Sequence, residues 1–138
     1  MPTWIYADTS AVAKLFIAEK ESPDLREWLA SQSDPHLISS ALLGVELIRL
    51  LALARPAALS DAERFLAADI YIVEITPPVL ADAERMPPPM LRTLDAIHLA
   101  TAFDLGPALD VVLSYDMALT RSARNAGMET AHPGAAPA

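Results

Sequence analysis

Residues 4–10 have the sequence WIYADTS, in which a short aromatic and aliphatic run is followed directly by an acid and two hydroxyl side chains. The run Trp4–Ala7 is typical of a buried first strand. Thr9 and Ser10 are both suited to cap a helix, which we expect to continue to about Ala18. The stretch therefore predicts a strand, an acid at its carboxyl end, and a helix that begins at once.

The same order of short apolar strand and helix recurs along the rest of the chain. Four further strands are predicted, at 36–39, 70–75, 110–114 and 128–131. The predicted helices between them start at Pro23, Ser39 or Ser40, Ser60, Thr76, Thr93 and Asp116. Because this alternation buries a parallel sheet on both faces, we predict an α/β fold, a three-layer α/β/α sandwich with a central parallel sheet of four to five strands. It would form a single domain over residues 1–131, followed by a flexible Pro/Ala/Gly tail at 132–138.

The composition limits the classes of protein to which this chain can belong. It has 138 residues, of which 53% are hydrophobic, and it contains no cysteine. That length supports one core, and the lack of cysteine excludes disulfide scaffolds, zinc-thiolate sites and cysteine nucleophiles. No stretch reaches the roughly 18 uninterrupted apolar residues of a membrane span, and residues 1–13 lack the basic region of a signal peptide. We therefore expect a soluble, cytoplasmic protein.

The charge balance is acidic, with 18 acidic and 10 basic residues and a net charge of −8. Proteins that bind nucleic acid through its phosphates usually have a basic surface, so the balance argues against simple wrapping of nucleic acid. An acidic total is consistent with a metal-binding cluster, a basic partner or plain solubility.

Two acids directly follow predicted strands. Asp8 comes after the first strand, and Asp116 comes two residues after Ser114, where the fourth strand ends. In open α/β sheets the active site lies outside the carboxyl ends of the strands. Taken singly, each of these acids is better explained as a helix cap.

Two further acids lie on apolar helix faces. Glu46 has Leu at positions i−4, i−3, i+4 and i+7, and Asp95 has His98 at i+3. A carboxylate on such a face is costly to bury unless a cation or a donor meets it. The structural alternatives for Glu46 are a salt bridge to Arg49 or a helix that is only half covered. For Asp95 they are a favourable first-turn position or a hydrogen bond to His98.

Brought together, the four acids would form a carboxylate cluster at one edge of the sheet. Two like charges about 4 Å apart repel by about 4 kcal/mol at an effective dielectric of about 20, so the cluster needs protons or a divalent cation. Oxygen ligands without cysteine favour hard ions such as Mg²⁺ or Mn²⁺. Such a site suits the hydrolysis of phosphodiester bonds.

These motifs resemble those of the PIN-domain nucleases, and among them the VapC-type toxins of bacterial toxin–antitoxin pairs. The resemblance rests on YADTSA at 6–11, Glu46 in its Leu-rich helix, LDAIHLATA at 94–102 and SYD at 114–116, and it spans residues 5–127. It implies a PIN-like fold and a Mg²⁺-dependent endoribonuclease, with Mn²⁺ as a possible substitute. It also implies a homodimer that a small VapB-like antitoxin silences.

Carried over to this sequence, the resemblance implies a catalytic and metal-binding quartet of Asp8, Glu46, Asp95 and Asp116. Asp8 and Asp95 would bind the metal directly, whereas Glu46 and Asp116 would bind it directly or through water. We call these four side chains the acidic quartet.

Several neighbours of the quartet are candidates for supporting roles. Ser10 and Ser114 would orient carboxylates or water, and Ser114 keeps a hydroxyl where the family often has Thr. His98 is expected to pack and to form hydrogen bonds rather than to act as a general base.

Three basic residues are candidate contacts for RNA phosphate or for the antitoxin. Arg92 and Arg49 flank quartet acids, and either could instead form an ion pair within the chain. Lys14, four residues after Ser10, would either contact phosphate or lie in solvent.

Other acidic α/β proteins fit the sequence less well. A receiver domain needs an Asp after the third strand and a Lys after the fifth, but the third strand ends at Glu74-Ile75-Thr76 and no Lys follows Lys20. A haloacid-dehalogenase-type phosphatase needs a second Asp where Ser10 stands, and the chain has no Gly-rich phosphate loop. A catalytically weak metal-binding interaction module remains the main alternative.

Overall fold

A five-stranded, fully parallel sheet forms the centre of the protein, in a computed structural model that describes residues 1–136. The strand order is β3-β2-β1-β4-β5, with β1 at the centre. The strands are β1 (Thr3–Ala7), β2 (Pro35–Ser40), β3 (Tyr71–Val73), β4 (Val111–Leu113) and β5 (Thr130–Ala131). The predicted α/β sandwich with a parallel central sheet is confirmed.

Seven α-helices connect the strands and cover both faces of the sheet. They are α1 (Thr9–Ala13), α2 (Ser22–Ser31), α3 (Leu42–Ala54), α4 (Leu59–Ala68), α5 (Pro77–Arg85), α6 (Thr93–Asp104) and α7 (Met117–Asn125). Short 3₁₀ turns at Pro56–Ala58 and Gly106–Ala108 follow α3 and α6. In residues 1–136, no helix is long and apolar enough to span a bilayer.

The first helix is shorter than predicted, because it ends at Ala13 and not near Ala18. The Ser22 hydroxyl donates to the carbonyl of Lys14 at 2.8 Å, the group that the amide of Ala18 would need if the helix continued. Of the alternatives that the sequence offers for the N-cap of this helix, one is confirmed. Asp8, not Thr9 or Ser10, occupies the N-cap position and accepts from the amide of Ala11 at 3.1 Å.

Some predicted helix starts are confirmed and others are wrong. Thr76 and Asp116 cap α5 and α7 as predicted, by accepting from the amide three residues on. The helices that were predicted to start at Ser60 and Thr93 instead have Ala58 and Arg92 at the N-cap, without a side-chain cap.

Two apolar cores lie on opposite faces of the sheet. One face contacts α3 through Leu43, Leu47 and Leu51, which are fully buried at helical spacing. The opposite face holds Tyr6 and Leu99, so α6 packs there. Each face thus presents one helix that carries a quartet acid.

The α3 helix is covered on one side only. Two of the leucines that flank Glu46 in sequence, Leu50 and Leu53, are exposed, Leu53 by 87%. Glu46 therefore lies at the margin of the buried stripe, on a half-covered helix, which is one of the structural alternatives considered for it.

Part of the predicted tail contacts the rest of the chain. The Tyr115 hydroxyl donates to the carbonyl of Pro133 at 2.7 Å, and the amide of Ala135 donates to His132 at 3.0 Å. Residues 137 and 138 lie outside the described residues, so the flexible tail over 132–138 stays a prediction, as does the boundary of the domain at residue 131.

Candidate active site

The carboxyl ends of β1 and β4 place two acids of the quartet at the same edge of the sheet. The strands are neighbours in the sheet, with Ala7 opposite Leu113. Asp8 follows β1 directly and caps α1, and Asp116 follows β4 and caps α7. Both acids are therefore helix caps, and their position at the sheet edge also makes them candidates for chemistry.

Asp8 is held from three directions in a buried position. Its Oδ1 accepts from the Ser10 hydroxyl at 2.7 Å and from the amide of Ala11, and its Oδ2 accepts from the Ser114 hydroxyl at 2.7 Å. The residue is only 3% exposed. Burial raises the pKa of Asp8, and these hydrogen bonds offset that effect only in part. The carboxylate is thus fixed in place at an energetic cost to its charged form.

The two predicted hydroxyls join Asp8 to the segment that carries Asp116. The Ser114 oxygen donates to Asp8 and accepts from the amide of Asp116 at 3.0 Å. The Ser10 oxygen accepts from the amide of Tyr115 at 2.8 Å. Both hydroxyls contact Asp8, and both also fix the backbone after β4.

Asp95 and Asp116 form a close carboxylate pair that Arg92 bridges. The Arg92 guanidinium donates to Asp95 Oδ2 at 3.3 Å and to Asp116 Oδ2 at 3.0 Å. The pKa of Asp95 is raised by burial and by the charge of Asp116. The pKa of Asp116 is lowered, since the amide of Leu119 and Arg92 outweigh its burial. Of the roles considered for Arg92, the structure contains the ion pair within the chain.

Glu46 reaches the site from α3 and binds two donors through one oxygen. The Thr9 hydroxyl and the Nε2 atom of His98 both lie 2.7 Å from Glu46 Oε1. Burial alone would raise the pKa of Glu46, but His98, Thr9 and Arg92 together lower it. The suggested salt bridge to Arg49 is wrong, since Arg49 is exposed and forms no ion pair within residues 1–136.

His98 and Lys14 have structural contacts. His98 is 2% exposed and also lies 2.7 Å from the Tyr6 hydroxyl, so it packs and forms hydrogen bonds as expected. The Lys14 ammonium is nearly buried, 3.3 Å from Glu21 Oε1 and 4.6 Å above the Tyr115 ring. Lys14 is therefore already paired within the chain and does not lie in solvent, contrary to one of its two expected roles.

A cleft of about 410 Å³ opens beside the carboxylate pair. Asp95 and Asp116 line it together with two arginines, Arg92 and Arg121. Arg121 was not predicted as a site residue from the sequence. Its position could have indicated it, because Arg121 lies five residues after Asp116, on a helix that begins at the site. Tyr6 and Thr9 were also missed as contacts, and no local pattern points to their partners.

The quartet does not form a closed metal site in this arrangement. Within residues 1–136, no group of three or more His, Asp or Glu side chains is placed to hold a metal ion. Asp95 and Asp116 adjoin each other, while Asp8 is linked to them through Ser114 and Glu46 accepts from Thr9, the residue after Asp8. The four carboxylates of the quartet still fit a hard divalent cation, since such ions bind oxygen ligands. The Asp95–Asp116 pair requires a positive charge, and in this arrangement Arg92 supplies it.

A model of the PIN domain matches residues 5–125, a span that contains the whole quartet and both hydroxyls. The chain belongs to the PIN-domain family. Its curated relatives in this family are ribonucleases of the VapC type. Ribonuclease VapC47 of Mycobacterium tuberculosis is 41% identical over 133 residues, which cover 95% of this chain and 98% of that protein. Ribonuclease VapC46 of the same organism is 38% identical over 129 residues, which cover 94% and 97%.

Two solved structures share the fold of this chain. A crystal structure of M. tuberculosis VapC20, described as a toxin that cleaves the sarcin-ricin loop, superposes with a TM-score of 0.72 at 20% identity, over 94% of this chain and 99% of that one. The structure of FitAcB from Neisseria gonorrhoeae gives a TM-score of 0.68 at 22% identity, over 94% and 97%. At this level of identity the likeness concerns the fold alone.

Proposed function

We propose that this PIN domain is the toxin of a toxin–antitoxin pair and hydrolyses RNA phosphodiester bonds with a divalent ion bound by Asp8, Glu46, Asp95 and Asp116. Its VapC relatives are ribonucleases, and ribonucleases of this family generally depend on a divalent metal. The observation that carries the proposal is the bridged Asp95–Asp116 pair in an arginine-lined cleft. Mg²⁺ is the proposed metal, with Mn²⁺ as a substitute.

Each quartet acid has a distinct part in the proposal. Asp95 and Asp116 would contribute a pair of carboxylates, Asp8 a third that its hydroxyl partners hold fixed, and Glu46 a fourth that stays ionised. The bound ion would supply Lewis-acid activation of water and stabilise charge on the phosphate. Binding requires Arg92 to release at least one carboxylate, after which its guanidinium is free to meet phosphate.

The two arginines of the cleft offset the negative charge of the protein locally. A net charge of −8 repels RNA as a whole, but Arg92 and Arg121 place two cations beside the carboxylates. Arginine suits phosphate because its fork of N–H donors can bind two oxygens at once. We propose that the RNA backbone lies along this cleft, with its reactive phosphate next to Asp95 and Asp116.

The proposed partners are a VapB-like antitoxin and a second copy of the chain. The remaining negative charge suits an antitoxin segment with basic residues, since opposite charges speed encounter and favour the right partner. The cytoplasm is the proposed compartment, as RNA is present there.

The second candidate function is that of a catalytically weak interaction module. One observation favours it, namely that no group of three acids is preassembled for a metal within residues 1–136. A cleavage assay separates the two functions, because the module would bind RNA or a partner without cutting.

The test is to incubate the purified chain with bulk RNA in Mg²⁺, in Mn²⁺ and in EDTA. We expect cleavage in both ions, none in EDTA, and recovery when Mg²⁺ is added in excess. Cleavage that persists in EDTA would contradict the metal mechanism. No cleavage under any condition, with RNA binding intact, would favour the interaction module.

Removing the arginine that bridges Asp95 and Asp116 should tighten metal binding. Arg92→Gln abolishes a cation that competes for the same carboxylates. Since an exposed ion pair contributes about 0.2–1 kcal/mol, we expect Mn²⁺ to bind about two- to fivefold more tightly without RNA. Electron paramagnetic resonance of free Mn²⁺ measures this, and Arg85→Gln, an exposed arginine on α5, is the control of equal charge. Weaker binding than in the control would show that Arg92 does not compete with the ion.

Arg121 should contribute to RNA binding, whereas its neighbour Arg124 on the same helix should not. Arg121 lines the cleft and Arg124 does not. We expect Arg121→Gln to weaken binding of a single-stranded RNA in EDTA by about 3- to 10-fold, and to reduce the slope of log affinity against log salt by about 0.7. Fluorescence anisotropy over a salt series gives both values. Equal losses in Arg121→Gln and Arg124→Gln would mean that the cleft is not the RNA path.

A further inference from the structure

A chain of hydrogen bonds leads from the centre of the sheet to Glu46. The hydroxyl of Tyr6, on β1, lies 2.7 Å from Nδ1 of His98, on α6. Nε2 of the same ring lies 2.7 Å from Glu46 Oε1, on α3. Tyr6 is fully buried and His98 is 2% exposed, whereas the Glu46 side chain is 23% exposed. This series of hydrogen bonds therefore starts in the core and ends at a partly exposed carboxylate.

The chemistry of the three groups fixes the direction of the donors. An ionised carboxylate can only accept, so Nε2 of His98 must carry a hydrogen and donate to Glu46. In a neutral imidazole Nδ1 is then an acceptor, and the Tyr6 hydroxyl must donate to it. Burial raises the pKa of Tyr6, so this hydroxyl keeps its proton. The order is Tyr6 to His98 to Glu46.

We propose that Tyr6 and His98 are positioning residues that hold Glu46 by Oε1 and leave Oε2 free for the divalent ion. This inference rests on the proposed function, since it assigns Glu46 to the ion. Within residues 1–136, the two hydrogen bonds of the Glu46 carboxylate both use Oε1. His98 acts through Glu46 and does not touch the reacting phosphate.

The same short segment positions two quartet acids at once. Asp8 lies between Tyr6, which contacts His98, and Thr9, whose hydroxyl donates to Glu46 at 2.7 Å. Fixing a free glutamate side chain costs rotamer entropy, and these donors fix it before the ion arrives. The end of β1 therefore sets the distance between Asp8 and Glu46, which lie on elements that are far apart in sequence.

Two isosteric changes of His98 separate positioning from simple packing. The amide nitrogen of His98→Gln stands near the former Nε2 and still donates to Glu46, whereas that of His98→Asn stands near the former Nδ1 and cannot reach it. Loss of a supporting hydrogen bond to a metal ligand typically costs about 10- to 100-fold in metal affinity. We expect His98→Asn to weaken Mn²⁺ binding by about that factor, and His98→Gln to remain within about threefold of wild type.

Tyrosine variants supply the matched control. Tyr6→Phe should weaken Mn²⁺ binding by about 10-fold, because His98 then loses the partner that sets its tautomer. Tyr115→Phe removes a hydroxyl whose hydrogen bond has the same 2.7 Å length but goes to Pro133, and it should leave Mn²⁺ binding unchanged. Thermal unfolding in EDTA identifies any variant that fails to fold, and nitrogen NMR of wild-type His98 should show a proton on Nε2 and none on Nδ1.

The outcomes distinguish this inference from the function on which it rests. If wild type binds Mn²⁺ and His98→Asn and His98→Gln bind it equally well, the positioning role is wrong although the metal function stands. A wild-type NMR spectrum that shows no proton on Nε2 of His98 also overturns the role, whatever the variants do. If wild type binds no Mn²⁺ and cuts no RNA, the proposed function fails, and the assignment of Glu46 to the ion fails with it.

Discussion

Asp95→Asn should abolish RNA cleavage while leaving the fold intact. The substitution removes one charge of the carboxylate pair and keeps the size of the side chain. Metal ions contribute several kcal/mol of transition-state stabilisation, and each 1.36 kcal/mol is tenfold in rate, so we expect a loss of about three orders of magnitude. Cleavage of a labelled RNA in Mg²⁺ measures the rate. Expression in a bacterial host should in addition no longer arrest growth.

The control for Asp95→Asn lies on the same helix. Asp104 ends α6 and is exposed, so Asp104→Asn makes the same chemical change away from the cleft. Its cleavage rate should equal that of wild type. Undiminished cleavage by Asp95→Asn, or equal losses in both variants, would exclude Asp95 from the chemistry.

Asp8→Asn should also abolish cleavage, but it should make the metal-free protein more stable. The pKa of Asp8 is raised by burial, so its charge opposes folding at neutral pH. Asn retains the cap and removes the charge. We expect a gain of about 1 kcal/mol in the free energy of unfolding in EDTA, visible as a rise of a few degrees in melting temperature.

The pH dependence of this gain has a definite sign. Because the folded pKa of Asp8 lies above its unfolded value, the wild type loses stability as the pH rises through the folded pKa. The advantage of Asp8→Asn should thus grow as the pH rises above about 4, the ordinary pKa of an aspartate. Urea unfolding of both proteins at several pH values measures it.

Asp116→Asn supplies the comparison of opposite sign. It is also an N-cap that Asn can replace, but its pKa is lowered in the folded state, so its charge favours folding at neutral pH. We expect this variant to be less stable than wild type by about 1 kcal/mol in EDTA. If both variants shift stability in the same direction, the different charge environments assigned to Asp8 and Asp116 are wrong.

The sheet and two of the acids could be predicted from local sequence. Strands such as Val111–Leu113 are short apolar runs between turns, and their hydrophobic pattern and length identify them as strands. Asp8 and Asp116 follow such runs, and parallel strands bring their carboxyl ends to one edge, so their proximity follows from the topology. The fold class and the acids at the strand ends can be predicted from local sequence, and the parallel topology then places those acids at one edge of the sheet.

The contacts of the other side chains could not be predicted in this way. His98 bonds to Tyr6 at a separation of 92 residues and to Glu46 at 52, and no periodicity specifies either partner. The end of α1 was missed because Ser22, in another helix, takes the carbonyl of Lys14. Such competition depends on tertiary packing, which overrides local propensity.

The most direct test of the metal site is anomalous diffraction from crystals of the chain grown with Mn²⁺. We predict a peak at the acidic quartet, with Asp8 and Asp95 bound directly, Glu46 and Asp116 bound directly or through water, and Arg92 displaced from at least one carboxylate. A structure at saturating Mn²⁺ in which Arg92 still bridges the two carboxylates, with no peak at the quartet, would contradict the account.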